Sequence, residues 1–383
     1  MAFLTIYLAF TFGVWARRAL LMLGSIRKYS CVPKTAAGGG PHDLVSVLVP
    51  CRNEEHNIDI LVPTLLAQDY PNLEFLFLDD RSTDRTHELL QKYAAADSRI
   101  RVLRGDPLPE GWTGKNHAID QLAAESQGKW ILEIDADTFH DPHSISSAVS
   151  YAESRKLDLL TLTARCVCKT FGEHLVQPMG IGCFSVWFKL EDVNDPKSKT
   201  PLACGQFLML RRDSFFKVGG QARVKNEVVE DLILFQIMKD AGFRCELGIG
   251  THLFATRMYR SFRESWIGWR RIYLHALRKN VPSLLTKIAM LIFFSFLPFA
   301  IAAYTGWQIF AEGDATYNLL FALSAGLCAF ILFLRSRSHK ALEAAQWSIF
   351  LHPISALVIA AILIDCLYHL FADKKVVWKA QKY

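Results

Sequence analysis

Four short acidic stretches, met in order along the chain, hold the residues whose types and spacing could do chemistry. Ile134-Asp-Ala-Asp-Thr138 places two carboxylates two residues apart at the end of an apolar run. Where a chain turns after a strand, such a pair can face one point. Hard cations such as Mg²⁺ or Mn²⁺ take one or two carboxylates together with substrate phosphates. A lone Asp-x-Asp is also common in plain turns, so the preceding run Trp130–Ile134 is what lends it weight. Val229-Glu-Asp-Leu232 opens an amphipathic segment with Leu232, Phe235 and Met238 on one face; a carboxylate there could serve as general base toward a hydroxyl. Val49-Pro-Cys-Arg-Asn-Glu-Glu55 offers a proline and polar groups, a cup for a planar base or a ribose. Acids at a helix start also simply suit the macrodipole. Leu78-Asp-Asp-Arg-Ser-Thr-Asp-Arg-Thr86 supplies carboxylates able to accept from a base N–H or ribose hydroxyls. Ser82 and Asp84 fit helix capping equally well.

These stretches need elements to position them. The apolar runs Val45–Val49, Phe75–Leu78 and Trp130–Ile134 read as buried strands, each ending in polar residues. Helical patterns follow over Glu55–Ala67, Thr83–Ala95, Lys115–Glu125 and His143–Glu153, with Pro142 suited to a first helical turn. Strand alternating with helix predicts an α/β domain on an open, mainly parallel sheet, which binds ligands at the carboxyl ends of its strands. Leu159–Thr163, Leu202–Leu210, Val228–Ala241 and Thr251–Met258 extend the same domain.

The ends of the 383-residue chain differ from its middle. Ala2 to about Gly24 is apolar, carries no charge before Arg17, and is followed by Arg17, Arg18, Arg27 and Lys28, which reads as an uncleaved span rather than a signal peptide. Ile288–Phe310 and Leu319–Leu334 are long enough to span. The loop Ala311–Asn318 is acidic, and Arg335–Lys340 is basic. The charge rule then places the middle domain on the cytoplasmic side, in an integral membrane protein. It also draws Lys374, Lys375, Lys379 and Lys382 inside, so Ala344–Phe371 is expected to enter the membrane without fully crossing, broken at Pro353. The organisation expected is an anchor at 1–26, a linker at 27–43, the α/β domain at 44–262, a juxtamembrane segment at 263–286, a membrane region at 287–372 and a basic tail at 373–383. Thr35–Pro41 is linker-like in composition. The net charge of +6, crowded near the apolar ends, favours an anionic membrane surface over nucleic acid. Nine cysteines without a Cys-x-x-Cys pair read as reduced thiols.

The order Pro-x-Arg-Asn-Glu-Glu, Asp-Asp-x-Ser-x-Asp, Asp-x-Asp, Glu-Asp, over about Val45–Tyr259, resembles glycosyltransferase family 2 with its GT-A fold. Leu108-Pro-Glu-Gly-Trp-Thr-Gly-Lys-Asn-His-Ala118 and Met258-Tyr-Arg-Ser resemble members that act on lipids, among them carotenoid and hopanoid-associated (HpnB-like) transferases and, more distantly, ceramide glucosyltransferase. Trp378-Lys-Ala-Gln-Lys-Tyr383 departs from the Trp-Lys-Gly-Arg-x-Tyr of such members. The resemblance implies an inverting transfer of one sugar from a nucleotide-sugar donor, UDP being the usual nucleotide, to a lipid-like acceptor. It assigns Pro50, Arg52, Glu54 and Asp80 to the nucleobase and ribose. Asp135 and Asp137 go to ribose and to a Mg²⁺ or Mn²⁺ on the diphosphate, and Lys115 lies near the donor. Asp231 is the base, with Glu230 in support. His252 is either a further metal ligand or structural.

Processive polysaccharide synthases of the family carry Gln-x-x-Arg-Trp after the base; Glu264-Ser-Trp-Ile-Gly-Trp-Arg-Arg271 lacks it, which argues against a polymer. Trp266 and Trp269 could form an interfacial belt or a core, while Arg270 and Arg271 could meet diphosphate or headgroups. A nucleotidyltransferase would want a glycine-rich loop after the first strand, and Pro50–Glu55 has no glycine. A non-catalytic membrane scaffold would be expected to show eroded acidic sites.

Overall fold

In a computed structural model describing residues 1–28, 31–38, 42–188, 190–195, 197–372, 377–378 and 381–382, the chain forms two units. A helical unit gathers Met1–Arg27, Cys168–Trp187 and Tyr259–Val376; a sheet unit gathers Lys28–Val167, Phe188–Met258 and Val377–Tyr383. In chain order the elements are α1 (Ala2–Lys28), β1 (Val45–Cys51), α2 (Glu55–Leu66), β2 (Leu73–Asp79), α3 (Thr86–Ala96), β3 (Ile100–Arg104), α4 (Gly114–Glu125), β4 (Trp130–Glu133), β5 (Thr138–His140), α5 (Ser144–Ser154), β6 (Leu159–Thr163) and β7 (Arg165–Cys166). There follow α6 (Phe171–Trp187), α7 (Leu190–Val193), β8 (Leu208–Arg211), α8 (Arg212–Lys217), α9 (Glu230–Asp240), β9 (Cys245–Ile249), β10 (Phe254–Thr256), α10 (Phe262–Ala276), α11 (Val281–Met290), α12 (Leu297–Phe310), α13 (Asn318–Ala341) and α14 (His352–Phe371).

The central strands are apolar at nearly every position because both faces of the sheet are covered. Val47, Val49, Phe75, Phe77, Trp130 and Leu132 point into one buried cluster. Their neighbours Leu48, Leu76, Leu78 and Ile131 point into the other. That alternation within continuous apolar runs marks a sheet buried on both sides. The strand order is β3-β2-β1-β4-β8-β6-β9, parallel except for β8, which runs antiparallel to β4 and β6. The chain moves outward from β1 to β3 and then returns to lay β4 on the other side of β1. Ligands bind at such reversals, beyond the carboxyl ends of the strands. A small second sheet, β5-β10-β7, lies downstream.

Several expectations need correction. The described residues of the linker are pinned to the sheet unit: Thr35 exchanges hydrogen bonds with Ser146 and Ser147, and the Ala37 N–H donates to Asp69. Gly39–Pro41 lie outside the described residues. Of Leu202–Leu210, only the end is strand. Pro142 precedes α5 rather than entering it.

In the helical unit, four stretches are long and apolar enough to cross a membrane: Ala2–Leu21, Val281–Phe310, Ala315–Ala341 and Gln346–Phe371. Pro353 does not break the last of these. It occupies the first turn of α14, where its missing N–H has no helical partner to lose. The expected break at Pro353 is therefore absent. Leu291–Phe296 winds as a π-helix, and its carbonyls at Phe293 and Phe294 accept from Tyr7 and Trp15 of α1. Wide turns of this kind expose carbonyls that need outside donors. Lys374, Lys375, Lys379 and Tyr383 of the basic tail lie outside the described residues.

Candidate active site

The loops after β1 and β2 interlock. The N–H groups of Asn53, Glu54 and Glu55 donate to the side chains of Ser82, Thr86 and Asp84 at 3.0, 2.7 and 3.1 Å. In return, Asn53 Oδ1 accepts from the Thr83 N–H at 2.8 Å and Glu55 accepts from the Arg85 N–H at 3.2 Å. Asn53 turns this corner at a φ of +53°, a conformation asparagine tolerates better than most residues. Burial works against the Asp84 charge, but the Thr86 hydroxyl and the N–H groups of Thr86 and Glu55 outweigh it and lower the carboxyl's pKa. Ser82 and Asp84 thus tie one loop to the other, while Arg85, the residue before α3, makes no side-chain cap hydrogen bond. Pro50 fits its strand because Leu48, which faces the same side, accepts the final N–H from β4, that of Ile134; beyond it no ladder bond toward β4 is required. Asp80 is 6% exposed and accepts from Arg52 at 3.1 Å and Arg81 at 2.9 Å. Glu54 binds Asn57 at 2.6 Å.

The other side of the reversal carries the charge. Thr138 closes a turn on the Asp135 carbonyl at 2.8 Å, and the Asp137 carboxylate accepts from Thr256 of β10 at 3.3 Å. Lys115, in the first turn of α4, places its ammonium between Asp135 at 2.8 Å and Glu230 at 2.7 Å. Burial opposes the Lys115 charge, but these two carboxylates outweigh it and hold its pKa well above the ordinary lysine value. A third of that side chain still meets solvent (33%), so the cluster is open rather than sealed. Asn116 explains why α4 and α9 meet. It is fully buried, donates to the carbonyls of Val224 and Glu227 at 2.6 and 2.9 Å, and accepts from Gln221. That staples the approach to Glu230 onto the start of α4.

Asp231, in the first turn of α9, accepts the Gly205 N–H at 2.7 Å. Burial pushes its pKa up to about 7, the neighbouring Glu230 charge adds to the rise, and Lys115 and two backbone N–H groups pull against it. Beneath the cluster, Glu133 ends β4 at 4% exposure with Oε1 unpartnered. Burial pushes it up to about 8, Lys115 pulls against this, and Glu230, Asp135 and Asp231 add to it. Burial thus favours the neutral form of Glu133, and even without its charge Asp135 and Glu230 outnumber the single ammonium of Lys115. Among the described residues, no three His, Cys, Asp or Glu side chains converge to hold an ion by themselves. Asp135 and Asp137 fit a hard cation that takes its remaining oxygens from a substrate. The excess negative charge also means that a diphosphate would be repelled without one.

The structure brings Lys115, Asp135, Glu230 and Asp231 together, and it pairs Arg52 with Asp80 beside Pro50 and Glu54. It sets His252 elsewhere in role: the side chain is exposed and touches Cys31 Sγ at 3.8 Å. Of the two readings open for Trp269, belt or core, the structure gives the core, and Arg270 packs beside it. Trp269 is 3% exposed, donates to Gln177 at 2.8 Å and lies on Gly180, where a Cβ would stand 2.5 Å from the indole. Arg270 pairs with Asp365 of α14 at 2.8 Å, beside the Trp266 indole N–H at 2.7 Å. Both serve packing inside the helical unit. Glu133, Asn116, Arg81 and Gly205 are the additions. Glu133 had a signal, an acid closing an apolar strand; the roles of the others depend on partners distant or unmarked in sequence. All nine cysteines are free.

The strand order and its reversal beside β1 make this a GT-A fold. Residues 46–219 match the family model described as Glycosyl transferase family 2. A 4,4'-diaponeurosporenoate glycosyltransferase of Staphylococcus aureus (strain USA300) is 23% identical over 261 residues; the match covers 66% of this chain and 66% of that relative's length. A solved structure, the mannosyltransferase PcManGT from Pyrobaculum calidifontis in complex with GDP-Man and Mn²⁺, aligns with a TM-score of 0.58 at 18% identity. That alignment covers 98% of this chain and 99% of the other, a likeness of fold.

Proposed function

We propose that the protein transfers one sugar, with inversion, from a nucleotide-sugar donor of the UDP-sugar type to a lipid-like acceptor. The observation that carries this reading is the placement of Asp231: a carboxylate in the first turn of α9, held by the Gly205 N–H at 2.7 Å and raised in pKa by burial, beside the lysine-centred acidic cluster at the sheet's reversal. A general base works best when its pKa lies close to the working pH. The acceptor hydroxyl attacks the anomeric carbon in line, Asp231 removes its proton, and the nucleoside diphosphate leaves from the opposite face. Gly205 fixes the Asp231 carboxylate through its N–H, and Glu230 keeps Asp231 basic by like charge. Arg52 and Asp80, with Pro50 and Glu54, frame the nucleoside. Lys115 offers an ammonium to the leaving diphosphate. A Mg²⁺ or Mn²⁺ held by Asp135 and Asp137 would neutralise charge growing on that group. The relative named for a carotenoid acid supports a lipid-like acceptor, and the GDP-Man and Mn²⁺ of the mannosyltransferase support donor and metal as classes. The basic residues after the first span and at Arg335–Lys340 assign the domain to the cytosolic face.

The test is purified protein in detergent, incubated with a panel of nucleotide sugars, membrane lipid extract and Mn²⁺ or Mg²⁺. Release of the nucleoside diphosphate from one donor is expected, abolished by EDTA and in Asp137→Ala. Full activity in EDTA would sink the metal assignment.

A further inference from the structure

An arginine among helices of membrane-crossing length needs an anion or a strong acceptor, because its charge is costly away from water. Arg335, near the end of α13, has no carboxylate partner among the described residues. One guanidinium N–H donates to the Pro178 carbonyl of α6 at 3.1 Å, while Nε is buried without an acceptor. Its seat depends on Gly182 of α6, where a Cβ would stand 2.6 Å from Nη1. His352, the first residue of α14, is 2% exposed, and neither of its ring nitrogens has a partner. The rings of Trp15 and Phe299 flank it at 6.1 and 5.7 Å. His339, one turn beyond Arg335, is by contrast fully engaged by the Arg335 carbonyl and Ser348. His339 thereby bridges the end of α13 to Ser348, four residues before His352, and joins these groups into one cluster.

We propose that Arg335 and His352 bind the phosphate of an anionic membrane lipid. A guanidinium with an unused N–H and an imidazole whose N–H is free to donate match phosphate oxygens. Both sit where a span ends or begins, the level of lipid headgroups, and the aromatic flanks suit the first carbons of an acyl tail. This site lies wholly within the helical unit and does not depend on glycosyl transfer.

The test is native mass spectrometry of the detergent-purified full chain, titrated with dioleoyl phosphatidic acid. Dioleoylglycerol, the same tails without phosphate, is the comparison, and inorganic phosphate is the competitor. Phosphatidic acid should bind roughly tenfold or more tightly than dioleoylglycerol, and Arg335→Gln or His352→Phe should each lose about tenfold, the scale of one charge-assisted hydrogen bond. Gly182→Ala keeps the charge but unseats the guanidinium, and should weaken binding likewise even where Arg335→Gln folds poorly. Unchanged phosphatidic acid affinity in any of these variants at wild-type melting temperature would overturn the proposal. Displacement by inorganic phosphate at equal concentration would do the same, since it would make this a site for a free anion.

Discussion

After β1 and β2, Asn53, Glu55, Ser82 and Asp84 tie two loops together through backbone N–H groups. After β4 and at the start of α9, by contrast, carboxylates share the single ammonium of Lys115. The first edge is set before any ligand arrives, because its bonds are local and mutual. The second is a balance of charge, which an incoming cation and diphosphate can redistribute. A nucleoside needs a fixed frame, and a reacting centre needs groups whose protonation and pairing can change. Under the proposed function, the two sides of one sheet reversal would divide those tasks.

Removing the shared ammonium should disturb the second edge most. Lys115→Met leaves Asp135 and Glu230 uncompensated, and transfer should fall below detection. Stability should drop by about 3 kcal/mol, the low end for breaking a buried pair, since a third of the side chain meets solvent. Thermal melting with and without Mn²⁺ checks this. A smaller effect is expected at Glu133. Its pKa is raised from 4.5 to about 8 in the folded chain, so folding binds its proton more tightly. Stability is therefore full below about pH 4.5 and declines as pH rises toward 8. Glu133→Gln should remove that decline and exceed wild type by about 1–3 kcal/mol at pH 8, the shift being shared with neighbouring charges. Equal melting curves across pH would show that Glu133 stays ionised. The smallest effect belongs to the fixed edge: Asp84→Ala removes the hydrogen bonds that Asp84 accepts from Glu55 and Thr86 and should cost about 1 kcal/mol, weakening donor binding with little change in turnover.

This division was partly legible in sequence. The runs at Val45, Phe75 and Trp130 announced strands buried on both faces, and the polar residues closing them announced a site at their carboxyl ends. β3 was missed because Ile100-Arg-Val-Leu-Arg104 is an edge strand, half exposed and interrupted by arginines. Asn116 sits in a stretch that stood out, yet its role rests on carbonyls more than a hundred residues away. Sequence left Trp269 open between an interfacial belt and a core, and offered Arg270 to diphosphate or headgroups. Their burial follows from Gly180 and Asp365, which no local pattern links to them.

The most direct measurement compares donor binding and turnover in wild type and Asp231→Asn. The side chains are nearly isosteric, so affinity for the nucleotide sugar should stay within about twofold while kcat falls by roughly 10²–10⁴, the range for a lost general base. In wild type, kcat should rise with pH to a plateau, with its midpoint near 7, because Asp231 must shed its proton to act. Near-normal turnover in Asp231→Asn would contradict the account and place the base elsewhere.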